Sequence, residues 1–243
     1  MYQQAIHQYL QQHGFGEFCP KAVLFDMDGV LYNSMPNHAY SWHTSMEEYG
    51  LVMPPEDAYL YEGMRGVETI KLLCEKQWGR IISDEESAQM YARKSAVYAS
   101  CPPAEVMKGV KQVLQQIAQM GMTIMVVTGS GQQSLLDHLT SDFAPYIQRQ
   151  NIISAFDVQR GKPHPEPYLK GLERAGVQPW QAVVVENAPL GVRAAVAAQV
   201  FTLAVNTGPL ANEVLAGEGA SLVLPDMMEA KKFFQTIQTI LKP

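Results

Sequence analysis

The sequence predicts an α/β fold built on a parallel sheet with an inserted helical unit, and three observations carry that reading. Short apolar runs rich in β-branched residues recur at Ala22–Phe25, Thr123–Val127, 182–185, Phe201–Val205 and Leu222–Leu224, as buried strands do. Helical patterns separate several of them, which implies βαβ units with right-handed crossovers. Residues 35 to about 101 break the alternation, with helix-like stretches and no convincing strand.

Taken in order, residues 1–18 are Gln-rich and place Ile6, Tyr9 and Leu10 at helical spacing, so a short surface helix is expected there. The first strand follows, and then the inserted unit, with helical patterns around 40–49, 67–76 and 85–98. Pro36 on one side and Pro102-Pro103 on the other mark where the chain leaves and rejoins the core. Beyond them Val110, Val113, Leu114, Ile117 and Met120 form an apolar stripe that Gly121 closes. The expected division is a helical N-terminal extension (1–20), an α/β core (21–34 with 104–243) and a helical insertion (35–103), whose two linkers would permit hinge motion.

Composition narrows the function. Nearly half of the 243 residues are apolar, as a globular chain with a sizeable core requires. A formal net charge of −6 excludes a broad electrostatic grip on nucleic acid. Cys19, Cys74 and Cys101 have no CxxC spacing, so neither a disulfide framework nor a zinc site is expected. No run approaches the ~18 apolar residues of a membrane span, and no signal-peptide pattern opens the chain. A cytoplasmic monomer is the expectation.

Four strand ends carry the chemistry. The strand at 22–25 runs into Asp26-Met27-Asp28-Gly29, which places two carboxylates two residues apart at the mouth of the sheet, where ligands of such sheets bind. Paired carboxylates repel unless a cation or proton intervenes, and magnesium accepts one or two carboxylates plus a substrate phosphate. An Asp-rich turn capping a helix would look the same. Thr128-Gly129-Ser130-Gly131 follows the next strand and reads either as a phosphate cradle or as an N-cap. Gly161-Lys162-Pro163 fixes a lysine in a Pro-rich turn, where its ammonium is either solvated or set against a phosphoryl group. Glu186-Asn187 ends a further strand, as metal ligands or as a cap.

In order, FDMDGVL, VVTGS, GKPHPEP and VVVENAPLGV resemble the four motifs of the haloacid dehalogenase superfamily, over residues from about 22 to 205. The position of the insertion, and the run from Asn33 to His38 with Trp42 after it, resemble the helical (C1-type) cap of the β-phosphoglucomutase-like subfamily. The resemblance implies a Rossmannoid parallel-sheet core with that cap. It also implies Asp26 as the nucleophile that forms an aspartyl-phosphate and Asp28 as general acid and base. Thr128 would then bind the phosphoryl group, Lys162 would pair with Asp26 and that phosphoryl group, and Ser130 would face the substrate with the cap residues. Mg2+ would be held by Asp26, the backbone carbonyl of Asp28 and Asn187, with Glu186 close by. Asn187 stands where the family more often has Asp, and Glu62 in the cap run EGMRG is the carboxylate expected to compensate.

For function, the reading is a Mg2+-dependent phosphohydrolase of a small phosphorylated substrate. EGMRG, ENAPLGV and VNTGPL resemble a branch that includes inorganic pyrophosphatases, which puts pyrophosphate first. The alternatives are a sugar-phosphate phosphatase or a β-phosphoglucomutase, which converts β-glucose 1-phosphate to glucose 6-phosphate. A mutase needs cap cations for a second phosphate, and His38 and Arg65 are the candidates. A non-catalytic phospho-switch or nucleotide-binding module is disfavoured, because no GxGxxG follows the first strand and such a switch needs no inserted cap.

Overall fold

A computed structural model describes residues 1–240. Its six strands are β1 (Ala22–Phe25), β2 (Thr123–Val127), β3 (Ile152–Ile153), β4 (Ala182–Glu186), β5 (Phe201–Val205) and β6 (Leu222–Leu224). They form one parallel sheet in the order β3-β2-β1-β4-β5-β6. The order reverses at β1, so the crevice between β1 and β4 is the topological switch point where α/β sheets bind ligands.

Alternation along the strands builds two cores. Val23 and Phe25 face one side with Val126, Val185 and Leu203, while Leu24 faces the other with Val127, Val184 and Tyr168. Helices α6 (Val110–Gln119), α7 (Gln133–Asp142) and α11 (Met227–Ile240) cover the first side, and α8 (Glu166–Ala175) and α9 (Pro189–Ala197) cover the second. A further helix, α10 (Asn212–Gly217), packs Leu215 against Val192 and Ala204. Strand β3 was not foreseen; at two residues on a sheet edge it is too short for any periodicity to mark it.

The N-terminal helix α1 (Tyr2–His13) lies on the first core. Tyr9 is buried there, edge-on to Phe201 with centroids 5.4 Å apart, and its hydroxyl donates to the carbonyl of Gln199. Phe201 also stacks on Phe233 at 5.6 Å and touches Phe18 at 5.1 Å.

Between β1 and α6 the chain forms α2 (Met35–Glu48), α3 (Asp57–Tyr61), α4 (Gly66–Trp78) and α5 (Asp84–Ala99), with no strand among them. These helices enclose their own apolar cluster, including Trp42, Met46, Ile70, Leu73 and Met90. Ser83 and Glu86 form a reciprocal capping box that starts α5. The two connections back to the core touch, since Asn37 Nδ2 donates to the carbonyl of Pro102 at 2.8 Å. No described helix is long and apolar enough to cross a membrane.

Phe201→Ala should lower the unfolding free energy by about 3–5 kcal/mol, because it empties the place where α1, α11 and the sheet meet. Urea denaturation followed by circular dichroism measures this; a loss below about 1 kcal/mol would mean that α1 does not close this core.

Candidate active site

Three neighbouring strand ends converge on one crevice. Phe25 pairs in register with Val126 of β2 and with Val185 of β4, which brings Asp26, Thr128 and Asn187 to the same edge of the sheet. All three are nearly inaccessible to solvent. Gly29, just past Asp28, has φ 77°, and a Cβ there would lie 2.0 Å from Asn187 Nδ2, so the approach of the two strand ends requires glycine.

Lys162 sits at the centre. Its ammonium, 1% exposed, donates to Asp26 Oδ1 at 2.5 Å, to Glu186 Oε1 at 2.7 Å and to the carbonyl of Val127 at 3.0 Å. Burial opposes its charge, but Asp26 and Glu186 outweigh that and raise its pKa. Glu186 is held on both oxygens. Oε1 accepts from Lys162 and from the Tyr168 hydroxyl at 2.8 Å, and Oε2 accepts from the backbone N–H groups of Asn187 and Ala188. The expectation that Glu186 serves as a metal ligand is therefore corrected: both of its oxygens are committed within the protein, and it anchors Lys162 instead.

Asp28 is held from the helical unit. Ser34 Oγ donates to Asp28 Oδ1 at 2.6 Å, and His38 Nε2 lies 3.2 Å from the same oxygen. Behind His38 stands Lys94, 2% exposed, with its ammonium 2.7 Å from His38 Nδ1 and over the rings of Trp42 and Tyr98. An ammonium can only donate, so Nδ1 accepts and Nε2 carries the proton that faces Asp28. Burial and Lys94 both lower the His38 pKa, which keeps the ring neutral. Against the cost of burial, His38, Ser34 and Lys94 hold the Asp28 carboxyl below the usual range. Burial also lowers Lys94 itself to about 8.

Glu62, in the loop before α4, enters the crevice and accepts from Asn187 Nδ2 at 3.1 Å. Burial, with Asp26, Glu186 and Asp28 around it, raises its pKa well above the ordinary value. Asp26 is pushed up to about 7 by burial and by Glu186 and Asp28, against the pull of Lys162. The adjoining Gly63 lies against the Lys162 stem and against Gly129. Thr128 Oγ1 accepts from the Ser130 N–H, which closes a tight turn, and Ser130 lines the crevice. Arg65 does not. Its guanidinium donates to the carbonyl of Gln159 and pairs with Glu68, and its stem lies on Gly161, so its expected place in the substrate pocket is corrected to a clasp between α4 and the core. Lys94, Ser34 and Tyr168 were missed; the sequence marks Lys94 only as one charge in a polar helix.

The donor set suits a hard divalent cation. Four carboxylates (Asp26, Asp28, Glu62, Glu186) share the site with two ammonium groups (Lys94, Lys162), and burial, with the neighbouring carboxylates, raises the pKa of Asp26 and Glu62. Asn187 Oδ1 is buried with no hydrogen-bond partner, a free oxygen donor of the type magnesium takes. Among the described residues no three His, Cys, Asp or Glu side chains form a ready metal cluster.

Residues 23–205 match the family model described as haloacid dehalogenase-like hydrolase. Validoxylamine A 7'-phosphate phosphatase of Streptomyces hygroscopicus subsp. limoneus is 30% identical over 87% of this chain and 96% of its own length. Hexitol phosphatase A of Escherichia coli K12 is 30% identical over 80% of this chain and 88% of its own. A solved structure from Bacteroides vulgatus, provisionally named beta-phosphoglucomutase, is 47% identical with a TM-score of 0.95 and covers 100% of this chain and 98% of its own.

The hydrogen-bond order at His38 is directly measurable. Long-range 1H–15N NMR at neutral pH should show a neutral ring protonated at Nε2, and Lys94→Met should shift it toward a mixture of tautomers. A wild-type ring protonated at Nδ1 would refute the assignment.

Proposed function

Because the chain belongs to the haloacid dehalogenase-like hydrolase family, we propose that it is a magnesium-dependent phosphohydrolase in which Asp26 receives the phosphoryl group and water then releases it. The observation that carries this reading is the buried Lys162 ammonium on Asp26, at a sheet edge shared with Thr128 and Asn187.

Asp26 attacks phosphorus with a carboxylate oxygen that Lys162 orients. Asp28 lines the same crevice and delivers a proton to the departing oxygen, then takes one from the water that attacks the acyl phosphate. An arriving phosphoryl dianion opposes the hold that His38 and Ser34 have on the Asp28 charge, which favours the protonated acid at that moment. The Thr128 hydroxyl accepts from Ser130 N–H, so its own proton can go to a phosphoryl oxygen. Asp26, the Asp28 backbone carbonyl and Asn187 Oδ1 would hold the magnesium, with Glu62 beside them; when bound, the ion draws charge from the phosphoryl oxygens. We read residues 35–103 as a cap that carries His38, Glu62 and Lys94 over the core.

Hydrolysis is favoured over phosphate shuttling because, among the described residues, the crevice has no uncommitted Lys or Arg for a second phosphate. Lys94 is bound to His38, Lys162 to two carboxylates, and Arg65 points to Gln159. The crevice is small, about 60 Å3, but it adjoins a cavity of about 340 Å3 that Asp28 and Gln132 also line, so its volume alone sets no limit on the substrate. Inorganic pyrophosphate is our first choice, on the resemblance of EGMRG, ENAPLGV and VNTGPL to the branch that includes pyrophosphatases. The second reading is a sugar or polyol phosphate, favoured by the names of the relatives; none of those cited above is a pyrophosphatase.

Phosphate release from pyrophosphate, hexitol phosphates and glucose phosphates, run beside conversion of β-glucose 1-phosphate to glucose 6-phosphate, separates these readings. Efficient mutase turnover with negligible phosphate release would overturn the hydrolase. Asp26→Asn should lower turnover at least about a thousandfold, and full activity would remove Asp26 as nucleophile. Glu62→Gln should raise the magnesium concentration for half-maximal activity roughly tenfold. An unchanged requirement would separate Glu62 from the ion.

A further inference from the structure

Lys162 has three N–H groups, and all three are used. They go to Asp26, Glu186 and the carbonyl of Val127. If, on the function proposed above, the ammonium beside Asp26 is also to meet the transferring phosphoryl group, one of those bonds must be exchanged. The three are not equal. Turning from the Val127 carbonyl strips a buried backbone acceptor, and turning from Asp26 releases the nucleophile that the lysine orients. Turning from Glu186 leaves its Oε1 with the Tyr168 hydroxyl, while Oε2 keeps the N–H groups of Asn187 and Ala188.

We infer that Tyr168 is a positioning residue that frees Lys162 for the phosphoryl group by keeping Glu186 hydrogen-bonded when the lysine turns away. Tyr168 is fully buried, and nothing places it against substrate. Glu186 is held in place by the N–H groups of Asn187 and Ala188 on Oε2, and α9 packs closely beside it, since a Cβ at Gly191 would fall 1.7 Å from Oε1. The carboxylate is fixed, the lysine stem is the flexible partner, and the face of the Tyr168 ring lies 5.0 Å from the ammonium. Burial and the neighbouring carboxylates raise the phenol pKa well above its ordinary value, so the hydroxyl stays a donor. Without that hydroxyl, release of Lys162 would leave a buried carboxylate oxygen bare, and the lysine would stay on Glu186.

Tyr168→Phe is a clean test, since it keeps the ring beneath the ammonium and removes only the donor. With whichever substrate the wild type hydrolyses best, kcat should fall roughly tenfold, with KM within about twofold, in protein that circular dichroism shows folded at the assay temperature. The same change made in Glu186→Gln should cost clearly less, because the charge that retains the lysine is gone. An unchanged kcat, or an equal loss in both backgrounds, would overturn the inference while leaving the hydrolase reading intact. Absence of phosphate release by the wild type from every substrate tested would overturn both.

Discussion

The ammonium of Lys162, closed inside the protein between Asp26 and Glu186, is the interaction on which the rest of the site depends. A buried charge is tolerated only when it is paired and fully hydrogen-bonded, and here each partner comes from a different strand end or turn. Strand β1 supplies Asp26, β2 the Val127 carbonyl, β4 Glu186, and the Pro-rich turn before α8 the lysine itself. The parallel register that aligns Phe25 with Val126 and Val185 is thus also what completes the lysine's coordination. Removing Lys162 would leave Asp26 and Glu186 without their shared countercharge in a dry interior, so the sheet edge and the charge cluster are conditions of each other.

A second buried lysine performs the matching task from the helical unit. Lys94 is stripped of water between Trp42 and Tyr98, and the hydrogen bond to His38 is its main polar contact. The consequence passes through the imidazole, because only the Nε2 proton is left to face Asp28. Two carboxylates two residues apart are thereby given opposite treatment: Asp26 is governed from the core and pushed up, and Asp28 is governed from α2 and α5 and held down. Environments that separate the pKa values of neighbouring acids also separate their roles.

Much of this was legible because the sequence repeats one grammar: an apolar β-branched run, then a polar residue at its end. That grammar marked Asp26, Thr128 and Asn187 and placed them at one sheet edge, and the order of strands and helices gave the fold class. What it could not show were partners supplied by distant elements. Lys94 lies in a helix of mixed charges where burial leaves no local trace. Tyr168 reads as an ordinary core aromatic on α8. Arg65 was misplaced for a geometric reason: Gly63, at φ 85°, turns the chain between Glu62 and Arg65, so that one side chain enters the crevice and the other leaves toward Gln159. Sequence proximity is a poor guide across a left-handed residue.

The bond from Asn37 to Pro102 joins the two connections of the helical unit to the core. Two independent tethers would let that unit slide as well as tilt. With the first turn of α2 bonded to the returning chain, the two crossings are held side by side. Glu62, His38 and Lys94 all lie on the chain between those crossings, and they reach the sheet edge through it. A hydrogen bond on the outside of the protein thus lies at the base of the unit that brings these three side chains to Asp26 and Asp28.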